Sequence, residues 1–470
     1  KFLILADQTS GNRRYKDILV SMMALKPFIE EIEGEYVGIM LPASVTASVL
    51  YLTVLSTGKI PVMINWTSGE AHIQHGLDIT ETTTIITAQK LLHKLEGQGF
   101  NKSALKCSWF ILESLADKMS LKHKLTALWN ATFNIDSFYL PRPEETAVVL
   151  FTSGSESKPK AVPLSHKNLL ANYRDYTSII DIHQSDTLLS MLPPFHSFGI
   201  AIGVILPLIS KLKTVYHSNP TEGTILAALI HAYKPSVIFG TPTFVNGILR
   251  SASKSDLKSL RLAVVGAEKC PDYVYQRFAA LCPTAVMIEG YGITECSPVV
   301  SANIPEASMH GSIGYLMPSL DYHIIHHETH QPISEGEEGL LIVKGDSVFS
   351  GYICHDGASP FIEFHGETYY NTGDLVVQNS EGLLEFKGRL KRFIKLGGEM
   401  VSLPAIEEAL QETDPNSDEG PTIAIASTES DTYQEITLVA THCIARDHAN
   451  TLIRAAGLPP AGLPHLPLRS

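Results

Sequence analysis

Between residues 37 and 289, short apolar runs alternate with stretches in which apolar residues recur every three or four positions. Short apolar runs bounded by turn residues are typical of buried strands, and the longer spacing is typical of helices. Strands that alternate with helices predict parallel sheets, in which ligands bind beyond the carboxyl ends of the strands. The predicted strands are Val37–Leu41, Pro61–Ile64, Thr84–Thr87, Thr187–Met191, Lys213–Tyr216, Val237–Gly240, Leu262–Val265 and Ala285–Glu289. The predicted helices are Thr46–Ser56, Lys167–Ile180, Ile200–Ser210 and Thr224–Tyr233.

The residues from Gly311 to Phe386 show a different pattern, with strand-like runs separated by turns and little helical spacing. The runs Tyr322–His326, Gly339–Lys344 and Leu383–Phe386 predict a small β-barrel or a distorted sheet. A small α/β segment follows, and a domain boundary is predicted near Lys391. The predicted fold is α/β, with a large N-terminal domain over residues 1–390 that combines parallel-rich α/β subdomains with a β-barrel-like part at about 311–388. A small, mobile α/β domain is predicted over residues 391–470.

Composition narrows the class of protein. A chain of 470 residues is too long for one simple core, so at least two domains are expected. Its hydrophobic content of 44% and mean hydropathy of +0.08 fit a globular protein with large cores. The formal net charge of −13 argues against nucleic-acid binding through bulk charge. Six scattered cysteines without a CxxC pair favour a reduced, cytoplasmic compartment. The apolar run Phe198–Ile209 is shorter than the about 20 residues of a membrane span and predicts a buried helix.

The stretch Leu150–His166 holds the strongest chemical signal. A predicted buried strand leads into a loop that carries several hydroxyls, a turn-forming glycine and two lysines. Small residues let backbone N–H groups face an anion, and lysine adds a point charge, so this loop suits a polyphosphate. A solvated surface loop is the alternative, because the GxxxxGK[ST] pattern is absent. The residues predicted to hold phosphate are Thr152, Ser153, Gly154, Ser155 and Lys160.

Three later segments support the phosphate interpretation. They are Glu289–Glu295 (EGYGITE), Tyr369–Leu375 (YYNTGDL) and Gly388–Leu403 (GRLKRFIKLGGEMVSL). Together and in this order, the four segments resemble the signatures of the adenylate-forming superfamily. That superfamily includes acyl-CoA synthetases, the adenylation domains of peptide synthetases and firefly luciferase. The resemblance spans the whole chain, since Leu41–Asn65 is similar to the first helix–strand unit of the family.

Further motifs resemble one branch of this superfamily. They are TSGSE in the phosphate loop, PPFHSFG at Pro193–Gly199, GAEK at Gly266–Lys269, EGYGITECSPVVS at Glu289–Ser301 and KRFIKLGGEMVSL at Lys391–Leu403. In that branch the domain is the acyl-(acyl carrier protein) synthetase half of a bifunctional bacterial protein, whose other half is a 2-acylglycerophosphoethanolamine acyltransferase. The resemblance implies activation of a fatty acid by ATP as acyl-AMP and transfer to acyl carrier protein, in service of phospholipid acylation. It also implies a cytoplasmic location, with membrane association at the cytoplasmic face of the inner membrane only through a missing acyltransferase part.

The resemblance assigns roles to individual residues, with ATP and Mg²⁺ as cofactors. Thr294 is expected to contact the α-phosphate, Glu295 to hold Mg²⁺, and His196 to line the reacting site, so these three are the predicted catalytic residues. Tyr291 is expected to stack on adenine. The full predicted ATP site is Thr152, Ser153, Gly154, Ser155, Lys160, Gly266, Ala267, Glu268, Glu289, Gly290, Tyr291, Gly292, Asp374 and Arg389. The predicted acyl pocket is Phe195, His196, Phe198 and Gly240, and Lys391 is the predicted hinge.

Each key side chain also has a plainer interpretation. His196 could be a satisfied core histidine, Glu295 a surface carboxylate and Asp374 part of a Thr-Gly-Asp turn. Ser157 and Ala161 stand where the family usually has glycine. The family also places a catalytic lysine near the C-terminus. This chain has no lysine beyond residue 395, and we expect that truncation of the chain explains this absence.

Three functions therefore stay open at this point. They are a ligase that loads acyl carrier protein, a ligase that loads coenzyme A or activates another carboxylic acid, and a non-catalytic nucleotide- or acyl-binding module. An acidic carrier protein would need a local basic patch on this net negative chain. One candidate patch is Arg250, Lys254, Lys258 and Arg261; the other, which we expect to dock the carrier through Arg392, is Lys387, Arg389, Lys391, Arg392 and Lys395.

Overall fold

Two sheets rich in parallel strands dominate the computed structural model, which describes residues 3–152, 158–396, 399–411, 422–429, 434–441, 444 and 446–455. By internal packing the chain forms two units. The first comprises residues 1–322 with 343–370, and the second comprises residues 323–342 with 371–470. The predicted α/β class, with a large N-terminal and a small C-terminal part, is confirmed. The division by packing assigns residues 371–390 to the second unit, and the predicted domain boundary at 390/391 stays a prediction.

The strands are short, and the central ones are buried on both faces, which explains their near-continuous apolar sequences. In chain order the described strands are β1 Leu3–Asp7, β2 Gly11–Arg14, β3 Tyr36–Met40, β4 Ile60–Met63, β5 Thr84–Thr87, β6 Ser108–Ile111, β7 Thr146–Phe151, β8 Ala161–Ser165, β9 Thr187–Ser190, β10 Lys213–Tyr216, β11 Val237–Gly240, β12 Leu262–Val265, β13 Val286–Gly292, β14 Val299–Ala302, β15 Tyr315–Leu316, β16 Asp321–Ile325, β17 Glu338–Lys344, β18 Phe361–Phe364, β19 Glu367–Gln378, β20 Leu384–Arg389, β21 Phe393–Leu396, β22 Glu399–Ser402, β23 Ile423–Glu429 and β24 Gln434–Ala440.

The helices cover the sheets and connect their parallel strands. In chain order the described α-helices are α1 Tyr15–Glu30, α2 Val45–Ser56, α3 Glu70–Ile79, α4 Gln89–Glu96, α5 Leu112–Lys118, α6 Leu121–Phe133, α7 His166–Ile179, α8 Ser197–Ile200, α9 Leu206–Ser210, α10 Gly223–Tyr233, α11 Pro242–Ser251, α12 Asp272–Leu281, α13 Leu403–Gln411 and α14 Arg446–Ala455. Helix α2 begins where the Ser44 hydroxyl accepts a hydrogen bond from the Ala47 N–H at 3.1 Å. Most of its residues are buried, since it is apolar on nearly all sides.

The larger sheet has nine strands in the order β15-β14-β13-β12-β11-β9-β10-β1-β2. Its six central strands run parallel, and towards the edges β2 pairs antiparallel with β1, β14 with β13, and β15 with β14. In register, Gly240 of β11 lies beside Val265 of β12, which in turn lies beside Glu289 of β13. The carboxyl ends of these three strands therefore meet at one edge of the sheet.

The smaller sheet has six strands in the order β6-β5-β3-β4-β7-β8. Its strands are parallel except for β8, which returns antiparallel to β7. The candidate phosphate loop is therefore the connection of a β-hairpin, and α7 begins only after β8. Residues 161–165, which the sequence predicts as part of the loop, form β8; a short returning strand has no clear signal beside so many small residues.

Most of the predicted elements are present within one residue of the expected bounds. The differences lie where tertiary contacts extend or interrupt an element. Strand β13 runs on to Gly292 because β14 pairs with its end, and the predicted helix Ile200–Ser210 contains a π-helical turn at Ala201–Ile205. Strand β19 includes the YYNTGDL motif, which the local turn residues had obscured.

The second unit has a small core of its own. Helices α13 and α14 pack on the β23–β24 hairpin through Leu403, Ile406, Ile425 and Ile453. None of the described helices is both long and apolar enough to cross a bilayer. Within the first unit, the run Phe198–Ile209 lies in helical turns that are largely buried, as predicted.

One buried carboxylate fixes the amino ends of the central parallel strands. Asp186 directly precedes β9, is 4% exposed, and accepts hydrogen bonds from the Arg261 guanidinium at 2.9 and 2.5 Å and from the Ser236 hydroxyl at 2.6 Å. Arg261 and Ser236 directly precede β12 and β11. Burial alone would raise the pKa of Asp186, but these donors and the His183 N–H bring it below its ordinary value.

We expect Asp186→Asn to lower the free energy of unfolding by about 1–3 kcal/mol at neutral pH, because Arg261 loses its partner. The depressed pKa means that this stabilisation is complete above the unfolded-state value, about 4, and is lost as the pH falls through the folded-state value. Urea titrations at neutral pH and at about pH 3 should therefore differ less for the variant than for the native chain. The control is Asp181→Asn, whose side chain is 57% exposed. An unchanged pH dependence in Asp186→Asn would contradict this account.

Candidate active site

The β7–β8 hairpin presents the described part of the candidate phosphate loop. At its base the Thr152 N–H donates to the Lys160 carbonyl at 3.1 Å, and the Lys160 N–H lies 3.4 Å from the Thr152 hydroxyl oxygen. The Lys160 ammonium lies 5.1 Å from the centre of the Tyr352 ring. Ser153, Gly154 and Ser155, like the atypical Ser157, lie outside the described residues.

Three glycines line the edge of the larger sheet at the carboxyl ends of β11, β12 and β13. The Gly266 N–H donates to the Gly240 carbonyl at 3.2 Å, and Gly290 lies on the other side of Gly266. A Cβ atom on Gly266 would lie 2.8 Å from the Gly290 carbonyl oxygen, so only glycine allows this backbone approach. The next residue, Ala267, has a left-handed φ of +67°. The backbone atoms that are predicted to line the adenine site therefore lie at an edge of the sheet whose conformation is fixed by close packing.

Glu289 holds three segments around this edge. Glu289 is 5% exposed. Its carboxylate accepts hydrogen bonds from the Cys270 N–H at 3.1 Å, the Tyr275 hydroxyl at 3.0 Å and the Gly311 N–H at 3.1 Å. Burial first, and then the Glu289 charge, raise the pKa of Tyr275 well above its ordinary value. Because the Glu289 carboxylate is engaged by these donors, it positions the segments that carry Cys270, Tyr275 and Gly311. Its predicted contribution to ATP binding would therefore be indirect.

Thr294 and Glu295 form a 3₁₀ turn directly after β13. The Thr294 hydroxyl lies 3.2 Å from that of Ser197, which comes from the PPFHSFG segment. Glu295 is 7% exposed, and its Oε1 accepts a hydrogen bond from the Tyr352 hydroxyl at 2.6 Å. Since Lys160 faces the same tyrosine ring, Tyr352 connects the predicted phosphate-binding lysine with the predicted metal-binding carboxylate.

The surroundings of Glu295 are apolar and aromatic. Tyr370 is 5% exposed, and burial, with the charge of Glu295 as a second cause, raises its pKa far above the ordinary value. The Phe349 ring packs against Tyr352 at 4.8 Å and against Tyr370 at 5.4 Å, and the Phe349 N–H donates to the Glu295 carbonyl at 2.8 Å. A charge in such a low-dielectric site interacts strongly with any cation or phosphate that enters. Glu295 is therefore no ordinary surface carboxylate.

The predicted acyl-pocket residues lie together in the first unit. The Phe195 ring packs against His196 at 4.6 Å and edge-on against Trp66 at 4.5 Å, and Phe198 packs edge-on against Phe239 of β11. Gly199 is required here, because a Cβ would lie 1.9 Å from the Pro193 carbonyl oxygen. The segment therefore folds back on itself and presents its rings.

His196 lies at the surface beside the Phe195 ring. It is exposed to water, yet the surrounding protein desolvates it enough to lower its pKa below the ordinary value. A neutral imidazole is therefore favoured at neutral pH. This arrangement argues against a satisfied core histidine and is compatible with contact to a carboxylate substrate.

Asp374 and Arg389 belong to the second unit, where they face each other across β19 and β20. Asp374 is 1% exposed, and the Arg389 guanidinium donates to both of its carboxylate oxygens, at 2.8 and 3.3 Å. Asp374 therefore lies in the paired strands β19 and β20, and not in an isolated Thr-Gly-Asp turn. The ribose contacts expected of both residues stay predictions.

The remaining ATP-site residues have simple environments. Glu268 is exposed, and its carboxylate accepts a hydrogen bond from the Thr243 hydroxyl at 2.6 Å. Tyr291 and Gly292 lie within β13, where Tyr291 pairs with Ser301 of β14. Adenine stacking by Tyr291 stays a prediction.

Most residues of the second candidate basic patch, and Arg261 of the first, are committed to internal ion pairs. Arg261 pairs with Asp186, Arg389 with Asp374, and Lys387 with Glu385 at 2.6 Å. Arg392 donates to Glu407 at 2.7 Å and to the Ile425 carbonyl at 3.2 Å. Arg392 therefore contributes to the packing of the second unit, and its charge is less available to a carrier protein than the sequence suggested.

Three side chains of this site were not predicted from the sequence: Trp66, Ser197 and Tyr352. Trp66 follows a buried strand, and Ser197 lies inside a quoted motif, so both carried a usable signal. Tyr352 lies between β17 and β18 in a stretch without periodicity, and only the folded structure brings it to Glu295. Among the described residues, no group of three or more His, Cys, Asp or Glu side chains is arranged to hold a metal ion.

Comparison with known proteins places this site in a family. The family model for AMP-binding enzymes matches residues 32–353. A long-chain-fatty-acid–CoA ligase of Bacillus subtilis (strain 168) is 28% identical over 442 residues, which cover 85% of this chain and 76% of that protein. A long-chain-fatty-acid–CoA ligase of Escherichia coli O157:H7 is 26% identical over 411 residues, which cover 81% of this chain and 72% of that protein.

Two solved structures show the same fold. ATP-bound MatB from Rhodopseudomonas palustris matches with a TM-score of 0.79 at 19% identity, over 98% of this chain and 90% of that one. O-succinylbenzoate coenzyme A synthetase from Bacillus subtilis, in complex with ATP and a magnesium ion, matches with a TM-score of 0.79 at 18% identity, over 98% of this chain and 92% of that one. Because the family model covers well over half of the chain, this protein belongs to the AMP-binding enzyme family, as its adenylate-forming motifs predict.

Proposed function

We propose that this protein is an acid–thiol ligase that uses ATP to activate a fatty acid. In the first step a carboxylate oxygen attacks the α-phosphorus of ATP, the bond to the β-phosphate oxygen breaks, and pyrophosphate leaves. In the second step a thiol sulfur attacks the acyl carbon of the adenylate, AMP leaves, and the thiol proton passes to solvent or to a base. The observation that carries this proposal is the convergence of Lys160, Glu295 and Thr294 beside the ring-lined segment at His196.

The predicted site residues take roles that their surroundings support. Thr152 and Lys160 at the base of the hairpin would hold phosphate, and Thr294 would contact the α-phosphate beside Ser197. Neutral His196 would meet the substrate carboxylate without forming a fixed ion pair with it. The carboxyl-end glycines would let adenine approach the backbone. Asp374 and Arg389 are proposed to contact ribose on the strength of the family resemblance.

The residues present fit a magnesium ion that arrives with the nucleotide. Mg²⁺ in nucleotide sites is typically held by one or two carboxylates together with substrate phosphates. Glu295 offers one buried carboxylate, and no larger acidic cluster exists among the described residues. When bound, the ion would offset the negative charge of the phosphates. The ATP and magnesium bound in solved structures of the same fold support this proposal.

A fatty acid is the proposed substrate, and the thiol of acyl carrier protein is the proposed acceptor. The aromatic side chains around Phe195 suit an apolar chain, and long-chain-fatty-acid–CoA ligases are among the similar proteins. The carrier protein rests on the motif resemblance alone. Coenzyme A has equal support from the names of the relatives and is the second candidate acceptor. Side-by-side assays with acyl carrier protein and coenzyme A at matched thiol concentration distinguish the two.

We expect Lys160→Ala and Thr152→Ala to slow ATP-dependent pyrophosphate exchange about 30- to 1000-fold, because each removes a phosphate contact worth about 2–4 kcal/mol. Binding of a fluorescent fatty acid should change little, since neither residue lies among the aromatic rings. Lys158→Ala is the matched control, as it is exposed in the same hairpin. Native exchange rates in both variants would contradict the site, and full-length protein without any exchange would favour a non-catalytic binding module.

We expect Tyr352→Phe to lower the Mg²⁺ concentration that half-saturates pyrophosphate exchange, by about tenfold. The phenol donates a hydrogen bond to Glu295, and the ion must compete with that bond, which is worth about 1.5–3 kcal/mol when the acceptor is charged. Calorimetric titration of ATP at several Mg²⁺ concentrations provides a second measurement. Tyr369→Phe, whose hydroxyl donates to Asp321 at 2.7 Å and not to Glu295, is the control. A higher Mg²⁺ requirement in Tyr352→Phe would show that the phenol supports the ion instead of competing with it.

We also propose that the segment after Lys391 rotates between an adenylating and a thioester-forming pose. Lys391 lies in a 3₁₀ turn between β20 and β21. Lys391→Pro would restrict φ and remove an N–H, so it should trap one pose and slow one half-reaction much more than the other. Pyrophosphate exchange and single-turnover thiol transfer from preformed adenylate report the two halves. Lys391→Ala is the control, and equal losses in a folded proline variant would argue against a hinge.

A further inference from the structure

Helix α6 has apolar side chains on two opposite sides. Its inner side packs on α1: Ala127 and Ala131 are buried against Met23, and the His123 ring nitrogen lies 2.9 Å from the Ala24 carbonyl oxygen. These contacts fix which side of the helix faces the protein. The alanines and the histidine recur every four residues, as one face of a helix requires.

The outer side of α6 presents a second apolar row to solvent, which we call the outer face. Its side chains are 74%, 58%, 42%, 65% and 69% exposed, for Leu121, Leu125, Leu128, Trp129 and Phe133 in that order. The Trp129 and Phe133 rings touch each other at 4.5 Å, so the row is contiguous. Single exposed apolar residues are ordinary on protein surfaces, but a contiguous row with two large aromatic rings marks a binding surface.

The charge around the outer face is positive. No aspartate or glutamate occurs between Lys118 and Ile135, whereas Lys118, Lys122 and Lys124 are all exposed. The chain as a whole carries a formal charge of −13, so the segment between the flanking Asp117 and Asp136 differs in sign from the whole chain. An acidic partner that also offers an apolar region is therefore favoured here.

We propose that the outer face of α6 is an adsorption surface for anionic lipid bilayers. Helices that lie in the membrane interface combine Trp, Phe and Leu on one side with lysines beside them. In this arrangement the rings and leucines would enter the region between headgroups and acyl chains, and the lysines would contact anionic headgroups. Leu140, 86% exposed shortly after the helix, would extend the apolar contact.

The charges argue against a second copy of the chain as the occupant. A two-fold symmetric dimer through this face would add Lys118, Lys122 and Lys124 of both copies to one interface to which α6 contributes no carboxylate, and uncompensated like charges at an interface oppose association. A bilayer adsorption surface also gives this chain a membrane affinity of its own, in contrast to the expectation that only a separate acyltransferase part would reach the membrane. If the proposed substrate is correct, adsorption would bring the enzyme to a membrane-dissolved fatty acid; the surface itself does not depend on that function.

The direct test is co-sedimentation of the full chain with vesicles. Vesicles of phosphatidylcholine with about 30 mol% phosphatidylglycerol should bind the protein, and pure phosphatidylcholine vesicles should bind it at least about tenfold more weakly. Raising the salt from about 50 to about 500 mM should weaken the binding, since screening shortens the reach of the lysines. Brominated acyl chains in the same vesicles should quench tryptophan fluorescence, and Trp129→Phe should abolish the quenching while binding persists.

Two pairs of variants separate this surface from the rest of the protein. Trp129→Ser with Phe133→Ser should lower vesicle affinity about tenfold or more, whereas Ile225→Ser with Tyr233→Ser, which changes two exposed side chains of α10, should not. Lys122→Glu with Lys124→Glu should remove the preference for anionic lipid. Lys213→Glu with Lys258→Glu changes the net charge equally at two other exposed positions and should leave the preference intact.

The proposal fails if the native chain ignores anionic vesicles at low salt, or if both α6 variants bind as the native chain does. A dimer that dissociates on Trp129→Ser with Phe133→Ser, together with no vesicle binding, would assign the outer face to a second copy instead. Pyrophosphate exchange in solution should be unaffected by all four variants, since none of them lies in the proposed ATP site. This readout keeps a failure of the surface distinct from a failure of the proposed activity.

Discussion

The parallel register of β11, β12 and β13 is the constraint on which the candidate site depends. It brings the ends of the three strands side by side, and the close backbone approach between Gly266 and Gly290 fixes that edge. The loops that leave the edge carry the adenine-site backbone, the Thr294–Glu295 turn and the residues that Glu289 holds in place. At the amino ends of β11 and β12, Asp186 ties these two strands to β9. One end therefore serves stability, and the other is free to carry chemistry.

Two neighbouring glutamates show how the surroundings divide these tasks. Glu289 accepts hydrogen bonds from two backbone N–H groups and one phenol, and the backbone donors cannot move without unfolding their loops. Glu295 accepts from the phenol of Tyr352, a donor that a side-chain rotation can remove. A carboxylate held by the backbone is suited to architecture, whereas one held by a side chain can exchange its partner for a metal ion. The five residues that lie between them in sequence reveal nothing of this difference.

The sequence predicted what depends on local pattern and missed what depends on distant pairing. Strands such as Val237–Gly240 and Leu262–Val265 are bounded by their own apolar runs, so their limits were predicted correctly. Strand β8 exists because β7 offers it a partner, and β13 continues to Gly292 because β14 pairs with its end. In the same way the motifs predicted Glu295, but its contact with Tyr352 joins residues 57 positions apart, and no periodicity records such a contact. The charges of the second basic patch were visible, but the acidic partners that neutralise them became apparent only in the fold.

The distribution of charge explains why net charge predicts so little about partners here. Around β20 the basic side chains lie among carboxylates: Arg389 pairs with Asp374, and Lys387 pairs with Glu385. A cation that already has an internal partner must give it up before it can attract a ligand, and that loss offsets most of the gain. Along α6 the sequence contains lysines without any acidic residue, and these lysines lie beside apolar side chains that water solvates poorly. On a chain of charge −13, the segment best able to attract an anionic surface is therefore the one whose cations have no acidic neighbours in sequence, and not the one with the most cations.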